Sequence, residues 1–131
     1  MGLDMYAYTV NKDAVADDAI DIDLNTLKKS ADFNRSFAYW RKLNALHGWM
    51  EALYRRRGGK QEFNCVVIRV MPQDLDQLER DLATGEVKPV EGFFFGAQEF
   101  TAGDREDVED FIASAREAIA GGKAVLYDSW W

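Results

Sequence analysis

The segment FNCVVIRV, residues 63–70, constrains this chain more than any other. Its Cys65–Val70 portion is β-branched and almost continuously apolar, the pattern of a central strand covered on both faces. Arg69, inside that run, must then reach out of the sheet or find a polar partner within it. Three further segments read as strands: residues 3–9, residues 93–100 with a break at Gly96, and residues 124–130. A weaker strand is predicted over residues 19–24, where Ile20, Ile22 and Leu24 alternate with Asp21 and Asp23 in the manner of an edge.

Helical periodicity fills the gaps between the strands. The longest predicted helix covers residues 37–57 and stops at Gly58-Gly59, with Arg55, Arg56 and Arg57 complementing the negative end of its dipole. A second starts at Pro72, aligns Leu75, Leu78 and Leu82 on one face, and ends at Gly85. The third begins near Asp104 with an acidic first turn, buries Val108, Phe111, Ile112, Ala115 and Ile119, and ends at Gly121-Gly122. With 131 residues and no linker or internal repeat, residues 1–131 form a single domain. The fold class is α+β, a two-layer sandwich of about three helices on a four- to five-stranded sheet. A small, mainly parallel α/β sheet is the rival.

Composition excludes several classes. Apolar residues at 47% and charged residues at 30% rule out a disordered chain. The single cysteine, Cys65, forms no intrachain disulfide and, with the single histidine, builds no common zinc site, so neither metal nor cofactor is expected. Cys65 itself reads as a buried, inert thiol in the central strand. A reducing, cytoplasmic setting follows. No membrane span or signal peptide is expected, and Tyr6 breaks the myristoylation motif that Gly2 opens.

The net charge of -7 argues against duplex nucleic acid as a partner. It hides an uneven distribution, because residues 28–60 carry nine basic side chains against Asp32 and Glu51 alone. Phe33, Phe37, Tyr39, Trp40, Trp49 and Tyr54 interleave with those cations, a mixture suited to small anionic or nucleotide-like ligands. The competing reading is a packed core with a cationic helix end. On the first predicted helix, Leu43, Leu46, Met50 and Leu53 face the core, while Trp40, Asn44, His47 and Glu51 form a ridge along its edge, with Arg41 and Arg55 nearby. His47 is the one side chain there with an ordinary pKa near neutrality, so acid-base work would fall to His47, with Glu51 orienting it and Arg41 stabilising an anion. No GxSxG elbow, phosphate loop, HExxH or paired-cysteine motif accompanies it. The carboxylates Asp104, Glu106, Asp107, Glu109 and Asp110 read as a helix start and its solvated face.

Four blocks, MGLDMY at the start, YWRKLNALHGWM at residues 39–50, GFFFG at residues 92–96 and the terminal YDSWW, resemble a family of small proteins of bacteriophages, prophages and some bacteria. The resemblance implies a phage-related protein of the bacterial host cytoplasm in which Trp40, Arg41, Lys42, Asn44 and His47 match the family motif. A phosphoglycerate-kinase label carried by some relatives does not suit so short a chain without a phosphate-binding signature. In GFFFG, Phe94 on the face opposite Phe93 and Phe95 would project toward Trp40 and His47. Trp130 and Trp131 either seal the core or join an interface, including one between copies of the chain.

Three functions follow as expectations. The first is a non-enzymatic binder of a small anionic or nucleotide-like ligand, using Trp40, Arg41, Asn44, His47, Glu51 and Phe94, with countering of host defence signalling as its purpose. The second is a modulator or inhibitor of a host protein acting through the acidic surface. The third is a small hydrolase or transferase with His47 as base.

Overall fold

The computed structural model describes residues 2–89 and 99–131. GFFFG, Phe94 and residues 93–98 of the strand expected over 93–100 lie outside the described residues, and residues 99–100 belong to no strand. In chain order the elements are β1 (Asp4–Asn11), a 3-10 turn (Lys12–Ala14), α1 (Leu24–Leu27), β2 (Asn34–Arg41), α2 (Asn44–Arg56), β3 (Ile68–Val70), α3 (Pro72–Thr84), α4 (Ala102–Ala120) and β4 (Lys123–Trp130).

Strict alternation makes β1 the middle of the molecule. Met5 and Ala7 point to one face of the sheet, and Tyr6, Tyr8 and Val10 to the other. β1 pairs with β2 on one side and along its whole length with β4 on the other, and β3 follows beyond β4. The order is β2-β1-β4-β3 with every pairing antiparallel, so the fold is α+β and the parallel rival is excluded. The helices α2, α3 and α4 cover one face through Leu46, Met50, Leu75, Leu78, Val108 and Phe111. The chain between β1 and β2 covers the other, where Val15 and Leu27 meet Tyr8, Val10, Val67 and Leu126.

Arg69 explains how that second cover stays in place. Its side chain leaves the sheet on the non-helical side and donates to the Val15 carbonyl at 2.7 Å and to Asp17 at 3.3 Å. A buried guanidinium thus meets its hydrogen-bonding need by anchoring a loop. Arg57 plays the matching part under the helices, bonding the Asp74 carboxylate and the Arg69 carbonyl.

Three expectations change. The predicted helix over residues 37–57 divides into β2 and the shorter α2, because Lys42 takes a left-handed backbone angle of φ 58° and its N–H bonds the Leu3 carbonyl at 2.8 Å. Residues 19–24 form no strand; Ala19 and Ile22 make single backbone bonds beside β3, and Asp23 then caps α1. The strand predicted as central is β3, the last of the sheet beyond β4, and it shortens to three residues, since Cys65 adopts φ 60° and is exposed rather than buried. Partial desolvation of its sulfur and the nearby Asp128 push the thiol pKa up, which disfavours the reactive thiolate. The helices α3 and α4 follow the prediction to within two residues.

Gly59 records how tightly the end of α2 is packed: a Cβ there would lie 2.2 Å from the ring of the fully buried Tyr54. Gly59→Ala is expected to lower the urea unfolding midpoint by an amount equivalent to about 2 kcal/mol. Gly103→Ala, at the start of α4 with its nearest neighbour 3.7 Å away, is expected to leave the midpoint unchanged or raise it.

Candidate functional site

The β2 edge of the sheet, which no other strand pairs among the described residues, and the helix beside it make a distinctive surface. On β2 the side chain of Trp40 turns inward and packs edge-to-face on Phe111 of α4, ring centroids 5.1 Å apart. Phe37 lies half-buried on the same strand. Phe111 faces the core, so the next stripe of α4, with Asp107, Asp110, Ser114 and Glu117 at helical spacing, runs along β2. Between strand and helix opens a cleft of about 280 Å³ lined by Phe37, Tyr39, Trp40, Asp107, Asp110 and Phe111. A second cleft of about 410 Å³ shares Phe37 and Ser114 with it and continues past Glu117 to Gly121 and Lys123.

This groove is acidic for a local reason. Thr101 and Asp104 cap α4 reciprocally, each accepting from the other's backbone N–H at 3.0 Å, which turns the following acidic residues onto the helix surface. Arg116, which could have neutralised them, points the other way and pairs with Asp76 and Glu79 of α3 at 2.8 and 2.9 Å. Asp107 and Asp110 form no ion pair among the described residues.

The opposite face of the same edge is aromatic and mixed in charge. Tyr39, exposed at 56%, donates its hydroxyl to Asp4 at 2.6 Å and packs against Tyr6 at 5.3 Å. That bond and the charge of Asp4 raise the Tyr39 pKa, and burial raises that of Asp128 beneath Tyr8. Arg41, Asp4 and Trp130 lie side by side across three strands, and Trp130 is 64% exposed. Trp131 is held inward, donating its indole N–H to the Phe63 carbonyl and exchanging two bonds with Asn64.

The ridge expected from helical spacing is not formed. Trp40 sits on a strand and not on α2, and Arg41, the next residue, is exposed, whereas Asn44 and His47 are buried on α2 at 3% exposure. Glu51 lies one turn beyond His47 on the surface, paired with Arg55 at 3.2 Å. The basic stretch is likewise dispersed: Arg57 is consumed by Asp74, while Arg35 and Arg41 belong to β2 and Arg55 and Arg56 to the end of α2. Asp107, Asp110, Phe37 and Trp40, by contrast, come together at the groove. Their helix and strand periodicities are visible in the sequence, but their proximity depends on recognising β2 as a strand.

His47 belongs to a buried polar pair. Its Nδ1 lies 2.7 Å from the Tyr127 hydroxyl, and its ring is 5.1 Å from that of Phe63. Burial lowers the imidazole pKa from 6.5 to about 4 and pushes the Tyr127 phenol well above its ordinary value. Both groups are therefore neutral at pH 7. Among the described residues no cluster of three metal-ligating side chains occurs, and no helix is long and apolar enough to cross a membrane.

A histidine whose pKa falls on folding binds its proton better in the unfolded chain. Its stabilising contribution is complete above pH 6.5 and is lost as pH falls from 6.5 toward about 4. The loss amounts to roughly 3 kcal/mol at 1.36 kcal/mol per pKa unit. Urea midpoints between pH 7.5 and pH 4 are expected to fall in the wild type and to fall distinctly less in His47→Gln. The raised Asp128 acts with the opposite sign and is common to both proteins.

No family model matches this chain, and no curated protein or solved structure matches it either.

Proposed function

We propose that this protein is a non-enzymatic interaction module that holds a lysine- and arginine-rich segment of a partner protein in the groove between β2 and α4. The observation that carries the reading is the pair of carboxylates without ion-pair partners, Asp107 and Asp110, beside Phe37, Trp40 and Phe111. Carboxylates next to aromatic faces suit ammonium and guanidinium groups, which gain both charge-assisted hydrogen bonds and cation–π attraction. The net charge of -7 adds long-range steering of a basic partner.

The other two readings find less support in this geometry. A small anion would rely on Arg41, which stands next to Asp4, while Asn44 and His47 are buried away from it. A hydrolase would need access to His47, which lies in the core against Tyr127 and Phe63. The likeness to phage and prophage proteins fits a host protein as partner, with modulation or inhibition as the outcome.

A seven-residue Lys-Thr-Lys-Thr-Lys-Thr-Lys peptide is expected to bind with a Kd in the micromolar range, read by isothermal titration calorimetry and by quenching of tryptophan fluorescence. The double reversal Asp107→Lys/Asp110→Lys is expected to weaken it about tenfold or more, since each exposed pair is worth up to ~1 kcal/mol and reversal adds repulsion. Asp13→Lys/Glu62→Lys, with the same change in net charge on exposed residues outside the groove, is expected to change the Kd less than twofold. Equal weakening by both pairs of reversals would defeat the groove assignment.

A further inference from the structure

We infer that the bound segment is an extended chain that joins the sheet as a new strand along the outer edge of β2. This rests on the proposed function and specifies the form of the partner. Three observations at the edge lead to it.

The first is hydrogen-bond phase. The Lys42 N–H bonds the Leu3 carbonyl at 2.8 Å, and the register then pairs Trp40 with Met5 and Ala38 with Ala7. In an antiparallel ladder alternate residues bond the neighbour, so Trp40 and Ala38 direct their backbone groups to β1. Tyr39 and Arg41 direct theirs outward, where no backbone partner meets them among the described residues.

The second is that the two edges of the sheet differ. Beside β3, Ile22 donates to Val67 and Arg69 to Ala19, so the chain itself occupies that edge. Among the described residues β2 has no such cover, it carries no proline, and its bulge lies toward Asn34, leaving residues 38–41 in regular pairing. Natural sheets commonly protect an exposed strand edge, which makes a regular open one a template for strand addition.

The third is dimension and charge. From Asp107 to Gly121 the groove follows 14 residues of α4, about 21 Å of helix. A strand of six residues spans about 20 Å. Alternate side chains of an added strand would enter the groove beside Asp107, Asp110 and Glu117, and the others would lie over Tyr39, Tyr6 and Asp4. Cations every second residue match the groove side. A second copy of this chain would instead bring its own acidic α4 against the first.

Amide hydrogen exchange read residue by residue by NMR tests the inference, with the Lys-Thr-Lys-Thr-Lys-Thr-Lys peptide as probe. At saturation the Tyr39 and Arg41 amides are expected to gain protection on the order of a hundredfold, while Ala38 and Trp40, already bonded to β1, change little. The isomer Lys-Lys-Lys-Lys-Thr-Thr-Thr, identical in charge, is expected to bind at least fivefold more weakly. Binding of both isomers with unchanged Tyr39 and Arg41 exchange overturns strand addition and leaves the groove reading intact. No binding of either overturns the proposed function itself. A dimer in sedimentation experiments, with Tyr39 and Arg41 protected before peptide is added, assigns the edge to a second copy and overturns the inference.

Discussion

The register in which β2 lies against β1 decides most of what this molecule can do. One backbone bond, from Lys42 to Leu3, sets the phase: Trp40 enters the core against Phe111, Tyr39 stands on the outer face, and the backbone of Tyr39 and Arg41 points away from the sheet. A shift of one residue would exchange those faces, expose an indole and bury a guanidinium. The same bond ends the strand, because Lys42 turns into the left-handed region immediately before α2 begins. The shape of the groove, the open edge and the start of the main helix are thus consequences of a single alignment.

Charge is distributed in keeping with that alignment. The buried cations are spent on structure, Arg69 pinning the chain between β1 and β2 and Arg57 joining α2 to Asp74 at the head of α3. Arg116 links α4 to α3 on the flank away from β2. What remains on the α4 side of the groove is unneutralised carboxylate beside aromatic rings, while Arg35 and Arg41 of β2 lie exposed on the strand. An acidic chain with a long basic stretch in its sequence therefore folds into a protein whose groove is negative, since residues adjacent in sequence are separated by strand, turn and helix.

Much of the architecture is legible in the sequence where local signals agree. β1 and β4 alternate or run apolar, α3 opens on Pro72 and closes at Gly85, and α4 carries an acidic start and an apolar stripe at Val108, Phe111, Ile112 and Ala115. The helix predicted over residues 37–57 fails because Phe37, Trp40, Asn44 and His47 fit a helical step as well as a strand leading into one. The turn between them uses Lys42, not glycine or proline, so no punctuation marks it. The groove could not be read for the same reason: Asp107 and Asp110 look like a solvated helix face until β2 is placed beside them. His47, the apparent centre of a site, is a core residue because Tyr127, 80 positions later, supplies its partner.

A rigid sheet edge beside an acidic helix offers recognition by two independent means, backbone bonding for the form of the segment and carboxylates for its charge. The most direct test of that pairing is a charge-swap cycle measured by calorimetry. The Asp107→Lys/Asp110→Lys protein is titrated with a peptide in which every lysine of the alternating probe is replaced by glutamate. Affinity restored to within about threefold of the original pair is the result this account predicts. Failure of the swapped peptide to bind, with the variant folded and the original peptide also lost, would show that those carboxylates do not contact the partner and would contradict it.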